Sequence, residues 1–285
     1  MTSPGDERLF MAGSVAEALA ALADRGCEGA PFAGGTSIMR LPIWGAPQAA
    51  FYVGVGRIPE LNAIDVGDDR IRIGACVTHS RLVAQLAGTA PCDGLVAAAG
   101  SAASPSIRGM ATVGGNLCAW HFSAADLPPP LLCLDAEVEL RSTAGVERIA
   151  VERFLAIRQD MEPGTLVTAV IIPRRPFLTG NARLLMRTAG DNPVATVSLA
   201  AMLGQNGLVE DIRIAVGSVE RSARRWPRLE QRLKGLALEA RKAGELAETE
   251  LDAFTGRDGI DAPGWYRVQV LPALVRRAAA AALHS

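Results

Sequence analysis

Hydrophobic positions near the N-terminus recur at helical spacing. In "SVAEALAALADRG", helical spacing separates four apolar residues that would line one side of a helix: Val15, Ala18, Leu19 and Leu22. Ser14 precedes this run and Glu17 follows three residues later, a pair whose side chains can cap a first helical turn. The pattern predicts a helix that begins after Ser14 and ends at Gly26.

Short apolar runs bounded by turn residues predict β-strands in the first two thirds of the chain. They alternate apolar with polar positions, or are continuously apolar as in buried strands. Between them, "HSRLVAQLA" and "DGLVAAAGSAA" predict helices built from small residues. The predicted strands are "APFAGGT", "AAFYVGV", "RIRIGACV", "EVELRST", "VERIAV" and "GTLVTAVIIP".

Residues 104–120, "SPSIRGMATVGGNLCAW", break this regularity. Pro105, Gly109 and the Gly114–Gly115 pair interrupt every helical or alternating pattern, so the segment is predicted to be a long irregular loop. Long loops inside compact domains usually serve a function.

The motif "PRRP" at residues 173–176 predicts a domain boundary. Beyond it, "ARLLMRT", "PVATVSLAAMLGQNG" and "LVEDIRIAVGSV" predict three strands joined by short turns. Helical patterns follow from about residue 222. The C-terminal unit is therefore expected to be a three-stranded antiparallel sheet followed by helices, an α+β layout.

Composition and charge narrow the protein class. A chain of 285 residues with 49% hydrophobic and 21% charged residues suggests a globular protein of two domains. The net charge of −1 does not favour binding to nucleic acid or to anionic membranes. Because no apolar stretch reaches the roughly 18 to 20 residues that span a bilayer, and no targeting pattern precedes the first helix, we expect a cytoplasmic protein.

Cysteine and histidine usage argues against a metal site. The five cysteines are widely separated and form no C-x-x-C motif, and the chain has only three histidines. We therefore expect reduced thiols and no zinc or iron–sulfur centre built by this chain alone.

Two glycine pairs are the main candidates for chemistry: "FAGGTS" at residues 32–37 and "ATVGGN" at residues 111–116. Adjacent glycines leave successive backbone N–H groups unshielded, so they can donate hydrogen bonds to an anion such as a pyrophosphate. Thr36 and Ser37 could add hydroxyl donors. Most such pairs are only turns, so an ordinary turn is the better explanation of either motif taken alone, and anion binding stays open beside it.

Other phosphate-binding and hydrolase motifs do not fit. "GVGRIP" places Pro59 where a Rossmann fingerprint needs its third glycine, and the chain contains no P-loop motif. A G-x-S-x-G nucleophile elbow is also missing from the sequence.

Taken together, the segments resemble one family. "FAGGTSIMRLPIWG", "VGVGRIPELNAI", "IRIGACVTHSRL", "AGSAASPSIRGMATVGGNLC", "SAADLPPPLLCLDAEVEL" and "PGTLVTAVIIP" occur in the order seen in the FAD-binding medium subunit of molybdenum hydroxylases, the xanthine dehydrogenase and carbon monoxide dehydrogenase group. The resemblance covers almost the whole chain and weakens after residue 185.

The resemblance implies an α+β fold of the vanillyl-alcohol-oxidase-like type. It implies an FAD-binding domain at residues 1–175, with subdomains at about 1–57 and 58–175, followed by a C-terminal α+β domain at residues 176–285. The chain departs from the family pattern at "LLMRTAGDNPVATV", where Pro193 stands roughly at the position of an aromatic residue that would screen the flavin ring.

The resemblance also implies a set of cofactor-binding residues. Both glycine loops would present bare amides to the FAD pyrophosphate, Asp126 would hydrogen-bond in the ribose and adenine region, Ala102 and Ala103 would lie near the flavin, and Leu166 or Val167 would pack on the cofactor. No catalytic residue or metal ligand is implied. The full set is Ala33, Gly34, Gly35, Thr36, Ser37, Ala102, Ala103, Thr112, Gly114, Gly115, Asn116, Asp126, Leu166 and Val167.

By the same resemblance, the function is electron relay. Electrons would reach FAD on this chain from [2Fe–2S] clusters in a small subunit, after hydroxylation at molybdopterin in a large subunit, and would leave to an external acceptor. The assembly implied is a dimer of heterotrimers. Two alternatives stay open: a self-contained flavin oxidoreductase, and a scaffold subunit that has lost FAD.

Two further side chains near these motifs carry expectations. His79 is predicted to begin a helix after Thr78 and to face solvent or a partner. Cys118 is predicted to be a small buried hydrophobic residue.

Overall fold

The computed structural model describes residues 8–186 and 192–284 and has the expected mixed α+β architecture. The strands are β1 (Leu9–Met11), β2 (Gly29–Phe32), β3 (Phe51–Gly54), β4 (Ile64–Val66), β5 (Arg70–Gly74), β6 (Glu137–Ser142), β7 (Gly145–Ala150), β8 (Leu166–Pro173), β9 (Leu178–Leu185), β10 (Pro193–Leu203), β11 (Val209–Gly217) and β12 (Arg224–Arg225). The helices are α1 (Val15–Arg25), α2 (His79–Leu86), α3 (Asp93–Ser101), α4 (Pro105–Arg108), α5 (Val113–Cys118), α6 (Pro128–Cys133), α7 (Val151–Ile157), α8 (Pro227–Leu233), α9 (Ala240–Glu248), α10 (Gly264–Gln269) and α11 (Leu271–Ala282).

The N-terminal sheet is parallel, with strand order β1-β3-β2, and α1 packs against it. The predicted cap of this helix is confirmed: the Ser14 hydroxyl accepts the Glu17 amide at 3.2 Å, and the Glu17 carboxylate accepts the Gly13 amide at 2.8 Å. Leu22 of α1 and Val53 of β3 are buried in the same apolar cluster. The sheet thus ends, at the C-termini of its strands, in the loop that contains the first glycine pair.

The central sheet has five antiparallel strands in the order β4-β5-β8-β6-β7. Its middle strand, β8, is buried along almost its whole length, which agrees with its continuous apolar sequence. The largest apolar cluster lies here and includes residues of α2, α3, α6 and α7. The second glycine loop is anchored on this sheet.

The C-terminal sheet has four antiparallel strands in the order β12-β11-β10-β9. Three of them were predicted; the fourth is the two-residue strand β12, which pairs with Ala215 and Val216 of β11. Helices begin only at Pro227, because the segment before it is used for this pairing. Within the described residues, none of the helices has both the length and the apolar surface that a membrane crossing requires.

Strand β9 contacts two helices, α3 and α11. A Cβ atom on Gly180 would lie 2.1 Å from the Ala278 carbonyl of α11, and one on Gly94 of α3 would lie 3.3 Å from the Gly180 backbone. The Gly94 amide also donates to the Thr179 hydroxyl at 3.0 Å. Only glycine permits the approach at Gly180, and α3 joins the C-terminal sheet to the central region while α11 covers the same strand.

The segment at residues 104–120 corrects the sequence prediction. It is not an irregular loop, because it forms the short helices α4 and α5. The Ser104 hydroxyl accepts the Ile107 amide at 3.4 Å, and the Thr112 hydroxyl accepts the Gly115 amide at 3.2 Å. These two N-caps stabilise first turns that glycine and proline content alone argues against.

Candidate cofactor site

The first glycine loop, residues 33–37, follows directly from β2. The Val55 amide donates to the Phe32 carbonyl at 2.8 Å, which fixes the end of the strand. Gly35 has a φ of +71°, a left-handed conformation that glycine adopts without strain. The Met39 amide then donates to the Gly35 carbonyl at 2.9 Å and begins the 3₁₀ turn Ile38–Trp44.

The backbone N–H groups of the first glycine loop are free of protein acceptors. In the described part of the chain, none of the five amides of residues 33–37 donates a hydrogen bond. The loop is nevertheless half-buried, and buried backbone donors are nearly always paired. Five successive unpaired donors in a turn with a left-handed glycine form a binding site suited to an anion.

The second glycine loop, residues 112–116, uses its amides within the protein. The Val113 amide donates to the Val77 carbonyl at 2.9 Å, and the Gly114 amide donates to the Ala75 carbonyl at 2.8 Å. The Gly115 and Asn116 amides both donate to Thr112, to its hydroxyl and its carbonyl respectively. The expectation of bare amides is therefore correct for the first loop and wrong for the second.

The two loops meet although they are far apart in sequence. A Cβ atom on Gly34 would lie 1.8 Å from the carbonyl oxygen of Met110, just before the second loop. A Cβ atom on Gly114 would lie 2.8 Å from the Ala75 side chain. Glycine is therefore required at position 34 for the first loop to rest on the backbone that leads into the second.

Asp126 is buried and paired with a residue that the sequence did not single out. Its carboxylate accepts a hydrogen bond from Nε of Arg183 on β9 at 2.9 Å, and the two side chains are 8% and 6% exposed. Burial raises the pKa of Asp126 to about 6, while the charge and hydrogen bond of Arg183 act in the opposite direction. The adjacent Leu127 amide donates to the Asn116 side chain at 3.2 Å, so Asp126 is tied to the second loop.

Ala102 and Ala103 form a turn that is held from one side. The guanidinium Nη1 of Arg108 donates to both of their carbonyls, at 2.9 Å and 2.8 Å. Ala103 has a φ of +43°, which is uncommon for a residue with a side chain. Arg108 was missed at the sequence level, because its partners are backbone atoms with no sequence signature.

Leu166 and Val167, the first residues of β8, are both buried, but in different apolar clusters. Leu166 packs with the core of the N-terminal sheet, which includes Leu61 and Cys76. Val167 packs with the core of the central sheet. The start of β8 therefore joins the two sheets that carry the glycine loops.

His79 begins α2 as predicted, but its predicted exposure is wrong. The side chain is 2% exposed, and neither ring nitrogen has a hydrogen-bond partner. Its backbone amide donates to the Ala111 carbonyl at 3.0 Å, so His79 adjoins the segment that leads into the second loop. Burial, and then the charge of Arg108, lower the pKa of His79 to about 4.

The expected burial of Cys118 is also wrong, because the residue is exposed. Protein groups still surround the thiol closely enough that desolvation raises its pKa to about 11. Cys118 ends α5, the helix that carries the second glycine pair.

The family departure at residues 184–197 is described only in part, since residues 187–191 lie outside the described residues. Pro193 is buried as the first residue of β10, and its carbonyl accepts the Ser218 hydroxyl at 2.6 Å. Arg267, which is fully buried, donates to the neighbouring Val194 carbonyl at 2.6 Å. The start of β10 is thus firmly held.

A cavity of about 450 Å³ lies away from the glycine loops, near the far end of β8. Charged side chains line it, but Arg148 and Arg225 are ion-paired with Glu139 and Glu230. Among the described residues, no three His, Cys, Asp or Glu side chains cluster closely enough to hold a metal ion. The glycine loops therefore remain the candidate site.

Comparison with known proteins agrees with this geometry. Residues 5–175 match the family described as the FAD binding domain in molybdopterin dehydrogenase, and residues 182–282 match the CO dehydrogenase flavoprotein C-terminal domain. The first match covers more than half of the chain and includes both glycine loops.

Individual relatives match along nearly the whole length. The alpha subunit of the 6-hydroxypseudooxynicotine dehydrogenase complex of Paenarthrobacter nicotinovorans is 30% identical over 96% of this chain and 93% of its own length. The xanthine dehydrogenase FAD-binding subunit of Escherichia coli O157:H7 is 26% identical over 93% of this chain and 92% of its own. A chain of the cyanide-inactivated Cu,Mo-CO dehydrogenase superposes with a TM-score of 0.86 at 26% identity, covering 100% of both chains. The chain therefore belongs to the FAD-binding medium subunits of the molybdenum hydroxylase family of oxidoreductases.

Proposed function

We propose that this chain holds FAD between its two glycine loops and relays electrons within a heterotrimeric molybdenum hydroxylase. The observation that carries the proposal is the row of five unpaired amides at residues 33–37. A dinucleotide diphosphate is an anion that such a row can bind without a lysine or arginine. Because the chain belongs to a family of FAD-binding subunits, we assign FAD as this dinucleotide.

In this proposal the two loops have different tasks. The amides of residues 33–37 donate to the diphosphate, and the hydroxyls of Thr36 and Ser37 add further donors. The second loop supports the first through the contact between Met110 and Gly34. Gly115 is exposed and carries no side chain, so it lets the dinucleotide approach the N-terminal turn of α5 closely. Thr112, Gly114 and Asn116 hold this turn in place.

The remaining candidate residues surround the same region. Ala102 and Ala103 are assigned to the flavin side, and Asp126 to the ribose and adenine side. Leu166 and Val167 form the apolar floor where β8 begins. Because Asp126 is already bonded to Arg183, we assign it one carboxylate oxygen, Oδ2, for a ribose hydroxyl.

Bound FAD supplies a redox centre that can exchange electrons both singly and in pairs. The protein groups near the site suit a relay better than acid–base catalysis. His79 is buried and held neutral, Asp126 is ion-paired, and the thiol of Cys118 has a raised pKa. The chain's part is therefore to bind and orient the dinucleotide, and the hydroxylation belongs to another subunit.

The partners proposed are a small [2Fe–2S] subunit and a large molybdopterin subunit, assembled as a dimer of heterotrimers in the cytoplasm. Support comes from relatives that are named as subunits or medium chains, including the carbon monoxide dehydrogenase medium chain of Hydrogenophaga pseudoflava. We also propose that the domain boundary falls at residues 175–176, between the end of β8 at Pro173 and the start of β9 at Leu178.

The FAD proposal is tested by comparing two flavins. The purified full-length chain, freed of bound flavin, is titrated with FAD and with riboflavin, which lacks the diphosphate. We expect FAD to bind at least a hundredfold more tightly, because only FAD reaches the amides of the first loop. Equal affinities, or no binding of either flavin, would refute the proposed diphosphate site and favour a scaffold that has lost FAD.

The relay proposal needs a separate experiment. The tagged chain is purified from its native host, and its partners are identified by mass spectrometry and iron analysis. Co-purification with a [2Fe–2S] protein and a molybdopterin protein is expected. A homo-oligomer that turns over a substrate without such partners would instead establish a self-contained flavin oxidoreductase.

A further inference from the structure

We propose that Arg108 is a positioning residue of the cofactor site, which fixes the Ala102–Ala103 turn and the Met110 backbone against the first glycine loop. The proposal rests on the proposed function, because these segments matter to a ligand only if FAD binds between the loops. It adds a residue outside the two glycine motifs that determines how well they are aligned.

The first observation is the pair of hydrogen bonds from one guanidinium nitrogen. Nη1 of Arg108 lies 2.9 Å from the Ala102 carbonyl and 2.8 Å from the Ala103 carbonyl. Ala103 has the left-handed φ of +43° that side chains disfavour. Charge-assisted hydrogen bonds are stronger than neutral ones, so they can hold a strained turn that the backbone would otherwise leave.

The second observation is the position of Arg108 in the chain. It is the last residue of α4, and Met110, two residues later, presents the carbonyl that lies against Gly34. On the other side, the Ala111 carbonyl accepts the backbone amide of His79. The short segment between α4 and the second loop is thus bonded to α2 at Ala111, and at its start Arg108 links α4 to the Ala102–Ala103 turn.

The third observation concerns the groups that surround the Arg108 guanidinium. In the described part of the chain its side-chain hydrogen bonds go to the two alanine carbonyls, and it forms no ion pair with a carboxylate. The guanidinium is half-buried and close enough to His79 to disfavour protonation of that ring. The guanidinium presents several donors in a fixed planar geometry, so one half-buried arginine can hold two main-chain carbonyls in place.

The proposal is tested by FAD titration of the full-length, flavin-free chain with four variants. Arg108→Met removes the donors, and Arg108→Lys restores a charged donor. Arg81→Met is the matched control, because Arg81 is exposed on α2 and makes only a 3.5 Å contact with Asn62. The double variant Ala103→Gly with Arg108→Met removes the strain that Arg108 is proposed to hold.

We expect Arg108→Met to weaken FAD binding about tenfold, and Arg81→Met to leave it unchanged. Arg108→Lys and the double variant are expected to bind within about threefold of wild type, since a lysine or a glycine relieves the same defect. Thermal unfolding of each flavin-free variant verifies that the variants are folded.

Normal FAD binding by Arg108→Met would overturn the proposal. So would failure of the double variant to recover, because Arg108 would then act by some route other than the turn. If Arg108→Met does not fold, the test depends on Arg108→Lys and the double variant. Weak FAD binding by both would refute the positioning role of Arg108. A wild-type chain that binds no FAD would refute the proposed function itself, which is a separate result.

Discussion

The two glycine loops share a sequence signature and use their backbones in opposite ways. In the first, residues 33–37, the amides have no acceptor within the described part of the chain. In the second, residues 112–116, four successive amides starting at Val113 donate to protein oxygens. The two Gly–Gly motifs of this chain are therefore not equivalent as anion sites.

The difference arises from the residues next to each glycine pair. In the first loop, the left-handed Gly35 turns the chain, so the preceding amides cannot form helical hydrogen bonds. In the second loop, the Thr112 cap starts α5, and the helix and the central sheet take up the amides. The first loop thus leaves its amide donors free, and the second uses its amides within the protein. This contrast makes different predictions for substitutions in each.

The largest effect is expected for Gly34→Ala in the first loop. A Cβ atom there would lie 1.8 Å from the Met110 carbonyl, so the loops must separate. We expect FAD affinity to fall at least a thousandfold, about 4 kcal/mol in binding free energy. Gly100→Ala on α3 is the control, since its Cβ would make only an ordinary 3.6 Å contact with Val83. Flavin titration measures both, and tight FAD binding by Gly34→Ala would show that the contact is not needed.

The next effect concerns His79, which adjoins the segment that leads into the second loop. Its pKa of about 4 in the folded chain lies below its value when unfolded, so the unfolded state binds a proton first as pH falls. The free energy of unfolding is therefore at its full value above about pH 6.5. It falls by on the order of 3 kcal/mol as the pH is lowered towards 4.

Chemical denaturation at several pH values checks this against His79→Leu. The variant should lack this part of the pH dependence and should be no less stable at pH 8, because neither ring nitrogen has a partner to lose. Parallel pH profiles of the two proteins would show that His79 is not buried in solution.

The smallest effect is expected for Thr112→Val in the second loop. It removes the hydroxyl that accepts the Gly115 amide, which should cost about 1 kcal/mol in the free energy of unfolding. FAD affinity should change much less than with Gly34→Ala. Thr112→Ser keeps the cap and serves as the control in urea denaturation of the flavin-free chain. A loss of FAD binding as large as that of Gly34→Ala, with unchanged stability, would contradict the division of roles.

Local sequence signals predicted the regular parts of the fold. The Ser14 cap placed α1, and continuous or alternating apolar runs placed β8, β10 and β11. Each of these elements is specified by neighbours in the sequence. The strand β12 was missed because two residues carry no pattern, and it forms only through pairing with β11.

The site was predicted less completely, because its geometry depends on contacts between distant segments. Glycine content suggested a loop at residues 104–120, but the Ser104 and Thr112 caps make helices there. The burial of His79 and the bonds of Arg108 depend on how α2 and α4 pack. No local pattern distinguishes the first loop, whose amides are free, from the second, whose amides are used.

The contact between Gly34 and Met110 leaves no space for even one methyl group. The distance between the two loops is thus set by residues of both stretches of sequence, and neither stretch determines it alone. Exchange of either stretch alone with a relative would combine surfaces shaped for different neighbours. Functional chimaeras of this chain should therefore transfer residues 32–37 and 108–116 as one unit.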